Sequence, residues 1–227
     1  MRALVTGAAG GLGKCIVKQL KPAFEIVLEW DLKNGVDVSD WASIHKAADH
    51  IDHLDVLVNC AGINHIEWFD DLAPDDFERV MGVNALGIFN CTQALLHQLH
   101  GGTVCNILSN AATLPMTASL AYCASKAAAT QMTRVMAHEL GHSHGITVFG
   151  VAPNKLAGTG MSAYTAQQVQ RIRGWSQAEA HARQLAALPA HEETPPEVVA
   201  EFIAWILSKK ERHKYLHGCI LNYGGPS

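Results

Sequence analysis

Apolar and polar positions alternate along this chain in a way that names its elements. Residues 3–6 form a short buried-type strand, and residues 11–20 then carry helical spacing up to Pro22. The pattern recurs: strand at 25–30, helix at 41–53, strand at 55–59, a long helix at 75–99 and a strand at 103–109. A second long helix follows at 119–141, then a strand at 146–152. Strands alternating with helices predict a parallel sheet covered on both faces. The fold class expected is therefore α/β, a doubly wound, Rossmann-like parallel sheet in a single domain over residues 1–227.

Two places break the rhythm. Almost nothing separates Asp31 from Asp37, although a parallel connection normally needs about a dozen residues. The third strand is therefore expected as a short stub without its crossover helix. After Ala152 the chain turns polar across 153–193, with weak helical stretches near 163–173 and 177–188. Such a segment beside the carboxyl edge of a sheet is a candidate substrate lid. Thr194-Pro195-Pro196-Glu197 then resembles a capping box with proline at the first helical position, starting a helix to about residue 208. Residues 219–222 give a last strand, closed by Gly224-Gly225.

Composition narrows the function classes. The 227 residues are 48% hydrophobic and 17% charged with a net charge of −4, as in an ordinary soluble globular protein. No basic stripe points to nucleic acid. No apolar run approaches the ~18 residues of a membrane span, and the amino terminus reads directly into strand and turn rather than into a targeting segment. The six cysteines (Cys15, Cys60, Cys91, Cys105, Cys123, Cys219) form no CxxC pair and read as thiols of a reducing cytoplasm. Among thirteen histidines the tightest pair is His142 and His144, at a helix end with no carboxylate or thiol set nearby. No metal site is expected.

Thr6-Gly7-Ala8-Ala9-Gly10-Gly11-Leu12-Gly13 lies between the first strand and first helix. Glycines there let the backbone turn sharply and approach a pyrophosphate, while the helix start offers free N–H groups and a positive dipole end. Gly7, Gly11, Leu12 and Gly13 are the candidate cradle. Asp31, at the end of the second strand, can accept both ribose hydroxyls of an adenosine, and its charge repels a 2′-phosphate. Neither Gly10 nor Leu32 supplies a cation for such a phosphate. The cofactor expected is NAD rather than NADP.

Tyr122 and Lys126 stand one helical turn apart and project from one face. A phenol with an ordinary pKa near ~10 needs a neighbouring ammonium to serve as a base at neutral pH, and this pair supplies one.

Together with Asn59-Cys60-Ala61-Gly62, Asn84, Ser109, Tyr122-Cys123-Ala124-Ser125-Lys126 and the stretch from Pro153 to Thr159, the glycine turn resembles the short-chain dehydrogenase/reductase family in order and spacing. The likeness spans essentially the whole chain. It implies that Tyr122 exchanges a proton with the substrate oxygen, Ser109 hydrogen-bonds the same oxygen, and Lys126 also holds the nicotinamide ribose. By the same resemblance Asn84 anchors a water that leads the proton away, and Asp37 and Val38 border the adenine. Asn59, Ala61 and Gly62 line the adenosine ribose side, and Pro153, Leu156 and Thr159 lie around the nicotinamide carboxamide. Two departures stand out: Pro153-Asn154 replaces the usual Pro-Gly, and Thr159 lies one residue late.

The reaction implied is hydride transfer between a secondary alcohol or its carbonyl and the nicotinamide. A silent, cofactor-binding regulatory protein is the competing class, and loss of Tyr122 or Lys126 would be its mark. A nucleotide-sugar epimerase fits poorly, with so little chain after Pro153. For the substrate, Ser109-Asn110-Ala111-Ala112 and the lid segment around Arg171, Arg173 and Trp175 resemble 2,3-dihydro-2,3-dihydroxybenzoate dehydrogenases, which implies a cyclic diol or dihydrodiol carboxylate. The lid arginines read equally as a solvated helix face. The two long helices carry apolar residues beyond one face, including Phe89, Leu95, Met132 and Met136, so a homodimer or homotetramer is expected.

Overall fold

The computed structural model describes residues 1–225, so the last two residues of the expected domain lie outside it. Six parallel strands form one sheet: β1 (Arg2–Thr6), β2 (Ile26–Trp30), β3 (Val56–Asn59), β4 (Thr103–Ile107), β5 (Thr147–Pro153) and β6 (Ile220–Tyr223). Their spatial order is β2-β1-β3-β4-β5-β6. The chain leaves β1 in one direction to form β2 and returns on the other side as β3. That reversal opens a crevice at the carboxyl ends of β1 and β3, the usual ligand position in such sheets.

Period-two alternation within each strand feeds two cores. Ala3, Val5, Val56, Val58, Phe149 and Val151 face one layer, built on α1 (Gly11–Leu20) and α8 (Pro196–Leu207). Leu4, Leu57, Val104 and Val148 face the other, which holds α2 (Trp41–Ala48), α4 (Gly87–Ala94) and α5 (Leu120–His144). Burial on both faces is why these strands read as near-continuous apolar runs.

Several boundaries differ from expectation for identifiable reasons. The stub between Asp31 and Asp37 does not form. Leu32–Asn34 make a single 3-10 turn closed by Gly35 at φ 78°, and the chain runs into α2, leaving β2 as the sheet edge. The helix expected to reach residue 53 stops at Ala48, because Ile51 and Leu54 turn back into the core and Asp55 takes the Arg2 N–H at 2.6 Å. The long helix expected over 75–99 is α3 (Pro74–Met81), a π-turn at Gly82–Leu86 and α4, ending at Ala94. Leu95 and Leu99 are fully buried beyond it, so Leu95 belongs to the core and cannot face a partner. On the same helices Leu86, Phe89, Leu120 and Val135 are the exposed apolar residues, while Met132 and Met136 are partly buried.

The capping box at Thr194 is also overturned. Pro195 is the N-cap of α8 with no side-chain cap bond, because the Thr194 hydroxyl donates instead to Asn154 Oδ1 at 2.6 Å. The segment 153–193 folds as α6 (Gly160–Arg173) and α7 (Gln177–Ala186), two helices lying over the carboxyl edge of the sheet. A four-residue helix α9 (Lys210–His213) leads into β6. Among the described residues no helix is long and apolar enough to cross a membrane, and all six cysteines are free thiols.

Candidate active site

A cleft of about 780 Å³ runs along the carboxyl edge from the glycine turn to the lid helices. At its first end the turn is closely packed. Gly7 adopts φ 65°, and a Cβ there would stand 2.7 Å from Ala61 Cα. A Cβ on Gly13 would meet the Gly7 carbonyl oxygen at 2.1 Å. Only glycine permits this approach, and it brings Gly11, Leu12 and Gly13 of the first turn of α1 to the cleft wall. Gly10 caps α1 without a side-chain bond, so the opening N–H groups face the cleft end uncapped. Thr6, at the end of β1, accepts the N–H groups of Cys60 and Ala61 at 3.0 and 3.1 Å and ties the turn to the β3 loop. Thr6 was not singled out from the sequence, where nothing shows that the two loops meet.

Asp31 lines the cleft and is already partly engaged: its carboxylate accepts the Ala9 N–H and the Lys33 N–H, each at 3.0 Å. It thus fixes the glycine turn as well as offering free lone pairs. Asp37 turns its carboxylate to the Ser39 N–H and hydroxyl, at 2.8 and 2.7 Å, and Val38 packs beside it against Gly87. Ala61 and Gly62 line the cleft with them. Asn59 does not. Its side chain is buried and donates to Asn106 Oδ1 at 2.9 Å and Thr92 Oγ1 at 3.3 Å, bracing β3 on β4 from within the core.

The other candidates converge at the middle of the cleft. Ser109 follows β4 and Tyr122 and Lys126 lie on the first turns of α5, all three on the cleft wall. The Ser109 hydroxyl hydrogen-bonds the Tyr122 phenol and accepts the Ala111 N–H at 3.1 Å. Tyr122 keeps an edge on the cleft, yet burial dominates and pushes its pKa up; the Ser109 bond opposes this and only in part. This reverses the expectation of a phenol acidified by its lysine: the ammonium lies 5.9 Å from the ring centroid and does not outweigh desolvation. Lys126 is itself buried, and burial lowers it to about 8, with the Cys60 sulfur opposing. Its ammonium donates to the Ile107 carbonyl at 2.9 Å.

Asn84 stands in the π-turn, fully buried. Its amide donates to the Ile63 carbonyl and Ser125 Oγ, both at 2.9 Å, and its oxygen accepts the Ile63 N–H at 2.8 Å. Ser125 donates in turn to the Tyr122 carbonyl at 2.8 Å. The side chain therefore braces the 61–64 loop against the start of α5. Ser125 was missed from the sequence because its role depends on Asn84, distant along the chain.

Pro153 ends β5, and Asn154 explains the departure from Pro-Gly. Its amide donates to the Gly224 carbonyl and its oxygen accepts from Thr194, binding the lid entrance to the carboxyl terminus. Leu156 forms an isolated parallel bridge with Thr194, and Thr159 caps α6 by accepting the Ser162 N–H at 3.1 Å. Both line the cleft. His142 and His144 lie on the far end of α5, and among the described residues no group of three or more His, Cys, Asp or Glu side chains is placed to hold a metal.

The model of the short chain dehydrogenase family matches residues 31–170. The chain is 32% identical to 2-(S)-hydroxypropyl-CoM dehydrogenase 3 of Xanthobacter autotrophicus, covering 78% of this chain and 68% of that protein. It is 28% identical to sorbitol-6-phosphate 2-dehydrogenase of Klebsiella pneumoniae, covering 98% and 94%. Among solved structures, a variant of actinorhodin polyketide ketoreductase with NADPH superposes at a TM-score of 0.87 and 26% identity, covering 99% of this chain and 96% of that one. The chain belongs to the short-chain dehydrogenase family.

Proposed function

We propose that this protein is an NAD-dependent oxidoreductase that interconverts a secondary alcohol and its carbonyl, with Tyr122 as the acid/base. The observation that carries the reading is the meeting of Ser109, Tyr122 and Lys126 on one wall of the cleft that begins at the glycine turn. The donor set fits a dinucleotide. Uncapped N–H groups of α1 and the turn glycines suit the pyrophosphate, Asp31 the adenosine ribose, and Asp37 and Val38 the adenine. Lys126 would hold the nicotinamide ribose through the ammonium protons not given to Ile107, and Leu156 and Thr159 would border the carboxamide. Bound there, the nicotinamide supplies the hydride acceptor or donor.

The chain's own groups handle the proton. Ser109 is placed to hydrogen-bond the substrate oxygen beside the Tyr122 hydroxyl. Burial keeps Tyr122 protonated at neutral pH, so it is set to donate in the reductive direction and must be relieved of its proton in the oxidative one. Asn84 and Ser125 keep the start of α5 in register with the 61–64 loop. Residues 153–193 act as the lid, with α6 and α7 closing the substrate end. Free thiols suit a cytoplasmic location, and a cyclic diol or dihydrodiol carboxylate is the substrate type that the lid suggests.

A panel of secondary alcohols, cyclic diols and ketones, followed by NADH absorbance, tests the reading. Tyr122→Phe should lower turnover by roughly 10²–10⁴-fold while NAD still binds. Wild-type turnover in that variant would refute the mechanism. Cofactor choice is tested with Asp31: kcat/KM should favour NAD over NADP, and Asp31→Ala should narrow the ratio. Because Asp31 also holds the Ala9 N–H, the variant should lose affinity for both cofactors, and for NAD more. A wild-type preference for NADP would count against the assignment.

A further inference from the structure

The charged side chains that line the lid end of the cleft are all cations. The cleft's two acidic lining residues, Asp31 and Asp37, belong to the glycine-turn end, while Lys155, Arg173 and Arg183 line the lid end. Two of these cations are matched within the protein. Lys155 pairs with Glu193 at 2.7 Å and also reaches Gln184, and Arg183 pairs with Glu179 at 3.1 Å.

Arg173 is different. Among the described residues it has neither an ion pair nor a hydrogen bond; its guanidinium lies 5.5 Å from the Trp68 ring centroid and 4.9 Å from that of Trp175. Arg183 rests on the same Trp175 ring at 4.6 Å. Two residues earlier on α6, Arg171 pairs with Glu67 at 2.7 Å and reaches the Ile66 carbonyl, which ties this end of the helix to the loop on the opposite rim. Arg173 is thus held in place while its planar donors remain unspent. A guanidinium that lies over indole rings spends none of its N–H groups on an oxygen acceptor, and those donors match a carboxylate or phosphate in bidentate fashion.

We propose that the substrate carries an anionic group, a carboxylate or a phosphate ester, and that Arg173 binds it, with Arg183 as a second cation on the same rim. The inference rests on the reading of Tyr122 as the reaction centre, since it places the anion at the lid end of that site. It turns the lid arginines from a solvated face into a specificity device.

Matched substrates test it on the whole protein: sorbitol 6-phosphate against sorbitol, and 3-hydroxycyclohexanecarboxylate against cyclohexanol. In at least one pair the anionic member should have the higher kcat/KM, on the order of tenfold to a hundredfold for one charge-assisted contact. Arg173→Met should bring that ratio towards one, and Arg173→Lys should retain part of it. The pair that responds tells carboxylate from phosphate. A second readout needs no turnover: with saturating NAD, cyclohexanecarboxylate or glycerol 3-phosphate should change the tryptophan fluorescence saturably through Trp68 and Trp175, and Arg173→Met should abolish the change. Neutral substrates preferred in both pairs, an unchanged ratio in Arg173→Met, or no saturable response to either anion overturns the proposal. Loss of NAD affinity with the ratio intact does so too, by reassigning Arg173 to the cofactor. Turnover retained in Tyr122→Phe beside an intact anion preference would instead sink the reaction mechanism alone.

Discussion

Lys126 holds a charge in a place that resists it. Its folded pKa is about 8 against an ordinary 10.5, the main cause being burial. Between those values the unfolded chain binds a proton that the folded chain does not, so the lysine's contribution to stability rises with pH across that window. Below pH 8 the penalty is fully present, on the order of 3 kcal/mol at 1.4 kcal/mol per unit. Lys126→Met, of similar length, should therefore raise Tm at pH 7 while removing activity, and the gain should shrink towards pH 10.5. Thermal melts at both pH values check it, and a lower Tm at pH 7 would show that the bond to the Ile107 carbonyl outweighs the desolvation. At this scale the sequence made Tyr122, Lys126 and Ser109 legible, because helical spacing and strand ends are local facts. It did not reveal the direction of the Tyr122 shift, which depends on how much protein surrounds the phenol. Asn59 misled for a related reason: a polar side chain beside a binding loop reads the same whether it faces the ligand or, as here, Asn106 and Thr92 in the core.

Elements were legible where burial is two-sided. Every strand core was found, most plainly in β1, β3, β4 and β5, where helices on both faces force unbroken apolar runs, and long helices declared themselves by period. Helix ends were legible where a local signal marks them, as Pro22 does beyond α1 (Gly11–Leu20), and not where termination is decided by partners far away in sequence. The π-turn at Gly82–Leu86 accompanies the three bonds that Asn84 makes to Ile63 and Ser125, and the false capping box reflects the claim of Asn154 on Thr194. Asn154 is the more consequential of the two, as one side chain joins β5, the lid entrance and the residues after β6. Asn154→Gly, which restores the family's Pro-Gly, should cost stability by roughly 1–3 kcal/mol, since two bonds vanish and the Thr194 hydroxyl loses its acceptor. KM for the cofactor should rise with it as the lid entrance loosens. Chemical denaturation together with cofactor titration checks the pair, and an unchanged midpoint with unchanged KM would mean that the bonds are replaced by water.

At the scale of the whole molecule, the two helical layers leave apolar surface on opposite sides of the sheet. The layer of α4 and α5 exposes Phe89 at 41% and Val135 at 44%, with Leu86 and Leu120 similarly bare. The layer of α1 and α8 exposes Val198 at 43% and Trp205 at 58%, the indole being covered on one face by Arg212 at 4.3 Å. A chain with two separate apolar faces has two self-complementary surfaces to offer, and each closed two-fold contact uses one of them. One contact alone gives a dimer; both together give a tetramer with two independent interfaces. We therefore expect a tetramer in which the faces separate by mutation. Phe89→Glu with Val135→Glu should leave a dimer held through α8, and adding Trp205→Glu should leave a monomer that still folds, because none of the three side chains is buried within the subunit. Light scattering at micromolar concentration, with circular dichroism to verify folding, reads each step. A wild-type mass of one chain would remove the premise, and a tetramer untouched by the first pair of charges would move the interface away from α4 and α5.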